Sequence, residues 1–407
     1  MDYLLFLLAL FSGGFMAWGV GANDVANAMG TSVGSKIITI KQAILIAAVF
    51  EALGAFYGSG TVIGTIRHDI IQPDFYSANL LILAKGMIAA LLASATWLLL
   101  ATTQGWPVST THSIIGAVVG FGLVSQGADN IQWQNISAIA LSWITTPIFS
   151  GVLGFVMFRI IQKFVLIHPM PHTRASILSG LFIGLMLTLG IAEVIRYLSP
   201  QSILLQGHRF WLLAPLAITA SMIFFNHTMP KAVTYRERCR QVEKLFGILA
   251  LFTACAMAAA HGANDVANAI GPLGSVIEIL QTGRLVKEAS VPLWVLIYGS
   301  AGVVLGLSMY GYRIIASVGS NITSLSPSRS FSAQLATAVI VMSASKLGFP
   351  VSTTHTLVGA VLGVGFARGY AAVNLSVVRG IFMSWAVTIS AGAIFSIIYF
   401  TILQGAV

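Results

Sequence analysis

Two identical octets carry the side chains in this chain best suited to holding a cation. Gly21-Ala22-Asn23-Asp24-Val25-Ala26-Asn27-Ala28 returns letter for letter 241 residues on as Gly262-Ala263-Asn264-Asp265-Val266-Ala267-Asn268-Ala269. Carboxylate, amide and freed backbone oxygens together suit a small hard cation. On a continuous helix Asn23 and Asn27 share a face at i, i+4, and Asp24 and Asn27 are neighbours at i, i+3. The amides alone would be explained by hydrogen bonds that hold membrane helices together. The aspartates are not, because a carboxylate inside a hydrophobic run costs roughly 3 kcal/mol and is kept where it lines a polar cavity. Asn23, Asp24, Asn27, Asn264, Asp265 and Asn268 are therefore the candidate cation ligands.

A second repeated element suits the opposite charge. Pro107-Val108-Ser109-Thr110-Thr111-His112 recurs 243 residues on as Pro350-Val351-Ser352-Thr353-Thr354-His355. Proline stops a helix, and Ser109 and Ser352 are good caps for the helix that restarts. A helix start of this kind leaves unpaired N–H groups and hydroxyls at a positive dipole end, an anion site without net charge. The candidate oxyanion ligands are Ser109, Thr110, Thr111, Ser352, Thr353 and Thr354. A lone Ser or Thr beside a proline would merely satisfy backbone; two copies, each paired with an Asn-Asp octet, favour a site. A doubly charged oxyanion beside two carboxylates amounts to about four negative charges, against which two helix ends return roughly half a charge each. Two or more cations, or protons, must accompany it. His112 and His355 are placed to carry protons, but a structural part within the broken turn is the preferred reading. Glu51 has no counterpart in the second half and either lines the pathway or pairs with a lysine. Lys85 and Lys346 fall near helix ends, and Glu193 at an interface.

The elements that must position these residues are membrane helices. Of 407 residues 57% are hydrophobic and 8% charged, with mean hydropathy +0.89, which excludes a water-soluble globule. Apolar runs near 20 residues separated by short polar turns mean helices, not a barrel. The net charge of +9 lies between the runs, so it marks orientation, not nucleic-acid binding. Cys239 and Cys255 offer neither a disulfide framework nor a metal spacing. The first run, after Met1-Asp2-Tyr3, reads as a retained helix and not a signal peptide.

The near-equal offsets indicate one duplicated segment. Counting each Pro-Val-Ser-Thr-Thr-His segment as one crossing puts seven crossings between the two octets, so the halves are inverted. The expected fold is an all-α polytopic membrane protein of about twelve spans, with two inverted repeats (1–166 and 245–407) joined by connecting helices and a basic loop (167–244). Lys36, Lys41, Arg159, Lys163, Arg174, Lys231 to Lys244, Arg313 and Arg329 then share the cytoplasmic side, and the N-terminus is extracytoplasmic. A hairpin that returned to its own side would move Arg159 to Arg174 outside. A multi-pass protein of the cell membrane follows.

In these octets and proline-led segments the chain resembles the PiT family of inorganic phosphate transporters over essentially its full length. The resemblance implies cation-coupled phosphate uptake, an inverted-repeat fold and a central site shared by both halves. It implies sodium at Asp24, Asn27, Asp265 and Asn268, and phosphate at Ser109–Thr111 and Ser352–Thr354. The long hydrophilic central domain of animal members is absent; only Lys231 to Lys244 stands there. No cofactor is expected besides co-transported sodium or protons, and the partners are phosphate, the cation and the lipid bilayer, with a homodimer left open. Proton coupling, metal-phosphate cargo or sulfate remain alternatives. An intramembrane hydrolase built on Ser109/His112 or Ser352/His355 is disfavoured by the duplication of every candidate and the missing nucleophile elbow. A cation channel would explain the aspartates but not the anion-type helix starts.

Overall fold

The computed structural model describes residues 3–198, 206–228, 234–285, 291–320, 325–369 and 375–406. Lys231 lies outside them, as do the side chains of Glu193 and Arg313. Each octet interrupts a long helix. In the first half α1 (Tyr3–Asn23) gives way at Asp24 to α2 (Val25–Gly34). There follow α3 (Ile40–Gly58), α4 (Gly60–His68), α5 (Leu80–Thr103), α6 (Thr110–Gln126), α7 (Trp133–Ile161), α8 (Pro171–Leu198) and α9 (Ala214–Thr228). The second half has α10 (Tyr235–Asp265) broken at Val266 before α11 (Ala267–Thr282), then α12 (Leu293–Ser320), α13 (Pro327–Lys346), α14 (Thr353–Arg368) and α15 (Leu375–Ala406). The octet breaks are shallower than a helix unwound over several residues. Asp24 N still bonds Val20 O at 2.8 Å, and Asn27 N then bonds Asp24 O at 2.8 Å. One tightened turn is enough to redirect the side chains around it.

Eight stretches among the described residues are long and apolar enough to cross a membrane. α6, α9, α13 and α14 are shorter or more polar. α13 earns its polarity on the inside: Ser328, Ser330, Ser332, Gln334 and Thr337 are all buried. Large apolar side chains point outward instead, among them Ile144, Ile148 and Val152 on α7 and Ile394, Ile398 and Ile402 on α15. Hydrocarbon solvates such a surface, and packing and hydrogen bonds hold the interior.

The proline-led segments end their preceding helices identically. Gly105 and Gly348 take φ of +70° and +78°, a conformation that costs glycine nothing. Gly105 N then bonds Thr102 O and Trp106 N bonds Ala101 O; Gly348 N bonds Ser345 O and Phe349 N bonds Ala344 O. This closes α5 and α13 and leaves the chain extended into α6 and α14. Arg67 lies in the last turn of α4. It is buried, pairs with Glu278 on α11, and its Nε donates to Ser275 Oγ at 3.2 Å. The run of helix past Ser59 was hidden because the sequence loses hydrophobicity there.

The octet helices are gripped by backbone-to-backbone contacts across the halves. A Cβ on Gly21 would overlap the carbonyl of Val303 on α12, and one on Gly262 the carbonyl of Glu51 on α3. Along α1 and α12, Tyr298 Oη donates to Leu10 O at 2.8 Å while Gly306 lies on Trp18. Residue numbers rise together, so these helices run in the same direction. Gly54 on Ala259 and Gly58 on Ala263 give α3 and α10 the same parallel relation. Gly262→Ala should therefore lower stability by about 1–3 kcal/mol, whereas Gly64→Ala, with nothing within 4 Å of the added carbon, should raise it by about 0.5–1 kcal/mol. Thermal melting of the two variants in detergent checks this; equal effects would remove the close approach from the argument.

Candidate functional site

The two octets and the two proline-led segments meet in one place. One ligand atom each from Asp24, Asp265 and His261 lies within 4.8 Å of the others, and both aspartates are 1% exposed. Each octet clamps the segment of its own half. Asn23 Nδ2 donates to Thr102 Oγ1 (2.9 Å) and Trp106 O (3.0 Å), and its Oδ1 accepts from Val108 N (3.1 Å). Asn264 Nδ2 donates to Ser345 Oγ (2.9 Å) and Phe349 O (3.1 Å). These first asparagines fix where α6 and α14 begin.

The serines cap those helices: Ser109 Oγ accepts from His112 N and Ser352 Oγ from His355 N, both at 3.2 Å. The next threonine turns onto the aspartate of its own half, Thr110 Oγ1 to Asp24 Oδ2 and Thr353 Oγ1 to Asp265 Oδ2, each at 2.5 Å. The third position crosses over. Thr354 Oγ1 donates to Asp24 Oδ1 (3.3 Å) and Val108 O (3.2 Å). Thr111 Oγ1 donates to Asp265 Oδ1 (3.5 Å) and Val351 O (3.1 Å). Asn27 Nδ2 donates to Thr354 Oγ1 (2.7 Å), and Asn268 Nδ2 to Thr111 Oγ1 (3.1 Å). All twelve residues singled out in the sequence thus lie in one buried network, knit across the halves.

The network is rich in acceptors. Asn27 Oδ1, Asn268 Oδ1 and Asn264 Oδ1 are buried with no hydrogen-bond partner. Orphaned carbonyl oxygens beside carboxylates are expensive unless a cation takes them, so the donor set fits a small hard cation near Asp24, Asn27, Asp265 and Asn268. Asn23 differs, since its oxygen is already engaged.

Two residues add what the repeats do not supply. His261, one helical turn before Asp265, stands between two carboxylates. Its Nε2 is 2.9 Å from Asp265 Oδ2 and its Nδ1 3.2 Å from Glu51 Oε1, both off the line of the N–H bond. The pair has no twin. Val20 precedes Asp24 at the same spacing, and Val303 meets Gly21 where Glu51 meets Gly262. Glu51 thus has an imidazole partner, not a lysine. A histidine four residues before the second aspartate was the signal in the sequence, and it was readable only against the valine of the first copy.

His112 and His355 take structural positions. Their rings meet edge to face at 4.3 Å, with Trp143 on the far side of His112 at 3.9 Å and Trp385 stacked on His355 at 3.4 Å. The column backs the two helix starts, and Trp143 Nε1 ties α7 to Pro350 O at 3.1 Å. A serine-histidine catalytic pair is not made, because the serine oxygens cap and the imidazoles face tryptophan. Behind the column a crevice of about 1210 Å³ opens between α7, α14 and α15. Its lining, Ile148, Val152, Phe155 and their neighbours, is apolar and suits hydrocarbon, not an oxyanion.

Known proteins resemble the chain over nearly its whole length. A model of the phosphate transporter family matches residues 20–396. A putative phosphate permease of Haemophilus influenzae is 45% identical, covering 99% of this chain and 97% of that protein. The chloroplastic inorganic phosphate transporter 2-1 of Arabidopsis thaliana is 39% identical over 97% of this chain and 72% of its own length. The solved structure of a sodium-dependent phosphate transporter superposes with a TM-score of 0.90 at 35% identity, covering 99% of this chain and all of that one. On sequence, fold and the arrangement of its repeated motifs alike, the chain belongs to the phosphate transporter family.

Proposed function

We propose that this protein imports inorganic phosphate by symport with sodium, through the central site, by alternating access. The observation that carries the reading is that threonine hydroxyls from both helix starts converge on the two carboxylates. As described, Thr110, Thr111, Thr353 and Thr354 point at carboxylates. Sodium bound to Asp24, Asn27, Asp265 and Asn268 would replace those donors, and the released hydroxyls would turn to phosphate with the N–H groups that open α6 and α14. Without the cation, phosphate would face two bare carboxylates and compete for their donors. Coupling then follows from the sharing of donors, and not from distance. Asn23 and Asn264 hold the two segments in place, and Ser109 and Ser352 act through their helix caps.

Inverted repeats account for the helix directions. α2 ends beside the start of α10 around Lys36 and Lys244. The far end of α11 meets the end of α4 through Arg67 and Glu278. The two octet helices therefore run oppositely. α6 finishes near α4, where Gln72 N bonds Asn130 O at 2.9 Å, which supports reading the proline-led segment and α6 together as one crossing. With α1–α2, α3–α4 and α10–α11 taken as single spans, this reading gives twelve spans, in repeats 1–166 and 245–407 about the connector 167–244. The basic residues support a cytoplasmic Lys36 end and an N-terminus outside.

Purified protein in proteoliposomes should accumulate labelled phosphate under an inward sodium gradient, with excess sulfate as a poor competitor. Uptake driven by a pH gradient alone would favour protons, and mere dissipation of gradients a channel. Asp24→Asn and Asp265→Asn should each abolish sodium-driven accumulation while leaving the protein monodisperse; unchanged sodium-dependent uptake in both removes the carboxylates from the mechanism. Thr111→Val and Thr354→Val remove a donor to a charged ligand, a loss of about 1.5–3 kcal/mol. The phosphate KM should rise more than tenfold, and further than the sodium dependence moves. Equal shifts would assign these hydroxyls to scaffolding.

The His261 imidazole, paired with Glu51, stands 2.9 Å from Asp265 and only within 4.8 Å of Asp24. Removing one member strands a buried charge, so Glu51→Gln or His261→Gln should each cost about 3–5 kcal/mol. The double change Glu51→Val with His261→Val copies the valines of the other half and should cost less than either single change. A double-mutant cycle on melting in detergent measures this; additive losses would show that the two residues do not act as a pair.

A further inference from the structure

At the end of the molecule where α2 meets α10, a cleft of about 450 Å³ lies between the α2–α3 turn, the first turns of α10 and Pro327. It has no part in the transport site. Lys36, Arg240 and Lys244 enter it, all exposed and without an acidic partner among the described residues. The one acid in the lining, Glu243, is committed elsewhere: its carboxylate accepts from Ser328 N at 2.9 Å and Ser328 Oγ at 2.8 Å. Arg240, Lys244, Ile248 and Leu251 lie on one stripe of α10 at i, i+4, i+8 and i+11. The stripe passes from charge to hydrocarbon as the helix enters the apolar body, with Ile248 exposed. Lys36 is also the one described residue other than glycine with positive φ, at 60°. A lysine pays for that conformation only where the surroundings require it, and here the turn aims its ammonium at the same cleft.

We infer that this cleft is a binding site for an anionic phospholipid of the adjoining leaflet, its phosphodiester held by Lys36, Arg240 and Lys244 and an acyl chain laid along Ile248 and Leu251. The charge-to-apolar gradient along a single stripe matches that amphiphile and not a free anion, which would leave the apolar half of the cleft unused. Bound there, the lipid joins the turn after one octet helix to the start of the other.

The test uses full-length protein in phosphatidylcholine nanodiscs containing a minority of phosphatidylglycerol, with co-purifying lipid counted by native mass spectrometry after transfer to detergent. The triple variant Lys36→Gln, Arg240→Gln, Lys244→Gln should retain about tenfold less phosphatidylglycerol than the native chain. The equal charge loss Arg159→Gln, Lys163→Gln, Arg174→Gln should not. Lys36→Gly separates binding from folding: it relieves the positive φ, so melting should not fall, yet retention of phosphatidylglycerol should. Phosphatidylcholine should not be retained above background, and inorganic phosphate should not displace the lipid. Retention unchanged in the triple variant overturns the site. Displacement by inorganic phosphate overturns the lipid as its occupant in favour of the free anion, and equal retention of phosphatidylcholine overturns recognition of charge.

Discussion

Two carboxylates share the middle of a structure whose outer surface is built for hydrocarbon. Asp24 and Asp265 are both buried, and each reaches an atom within 4.8 Å of the other. Like charges so close in a poorly solvated interior repel strongly, and most of the surrounding chemistry answers that repulsion. Four threonine hydroxyls face the pair, an imidazole stands against one member, and three amide oxygens of the octets have no hydrogen-bond partner. The octets, the proline-led segments and their crossing contacts all serve to assemble this one cluster of charge.

Assembly depends on close backbone approach. The octet helices can bring their aspartates together only because Gly21 and Gly262 let α12 and α3 lie directly against them. The left-handed turns at Gly105 and Gly348 then deliver the helix starts at the right depth. In a membrane no hydrophobic force drives helix against helix, so small residues and interhelical hydrogen bonds carry this work. The grip of Asn23 and Asn264 on the two segments belongs to the same logic. It binds each half before the halves bind each other.

Much of this was legible in the sequence because it is repeated. Duplication singled out the twelve residues that the fold brings into one buried network, and proline followed by Ser-Thr-Thr marked the two helix starts. What escaped notice is what the repeats do not share. His261 looks like an ordinary residue of an alanine-rich helix until Val20 is set beside it, and Glu51 has no partner until the fold brings α3 onto α10. The place of Arg67 was not legible either, because hydropathy cannot see a buried ion pair across two helices. That Asn23 Oδ1 is engaged by Val108 N while Asn27 Oδ1 is left without a partner was also beyond spacing alone. Asn23 and Asn27 have the same chemistry and differ only in what faces them.

The unshared residues bear on how such a site can work in sequence. A perfectly two-fold cluster would offer two equal half-sites, and nothing would decide which carboxylate loses its hydroxyl donors first. The imidazole between Asp265 and Glu51 breaks that equality. Asp265 keeps an imidazole at 2.9 Å when its threonine donors turn away, whereas Asp24, preceded by Val20 at the same spacing, has that imidazole only within 4.8 Å. In the proposed mechanism the Asp24 half therefore depends more steeply on sodium. Release of Thr110 and Thr354 toward the anion is then gated at that half, while the Asp265 half holds its geometry. In that mechanism the duplication would supply two matched sets of ligands, and the divergence at two positions an order in which to use them.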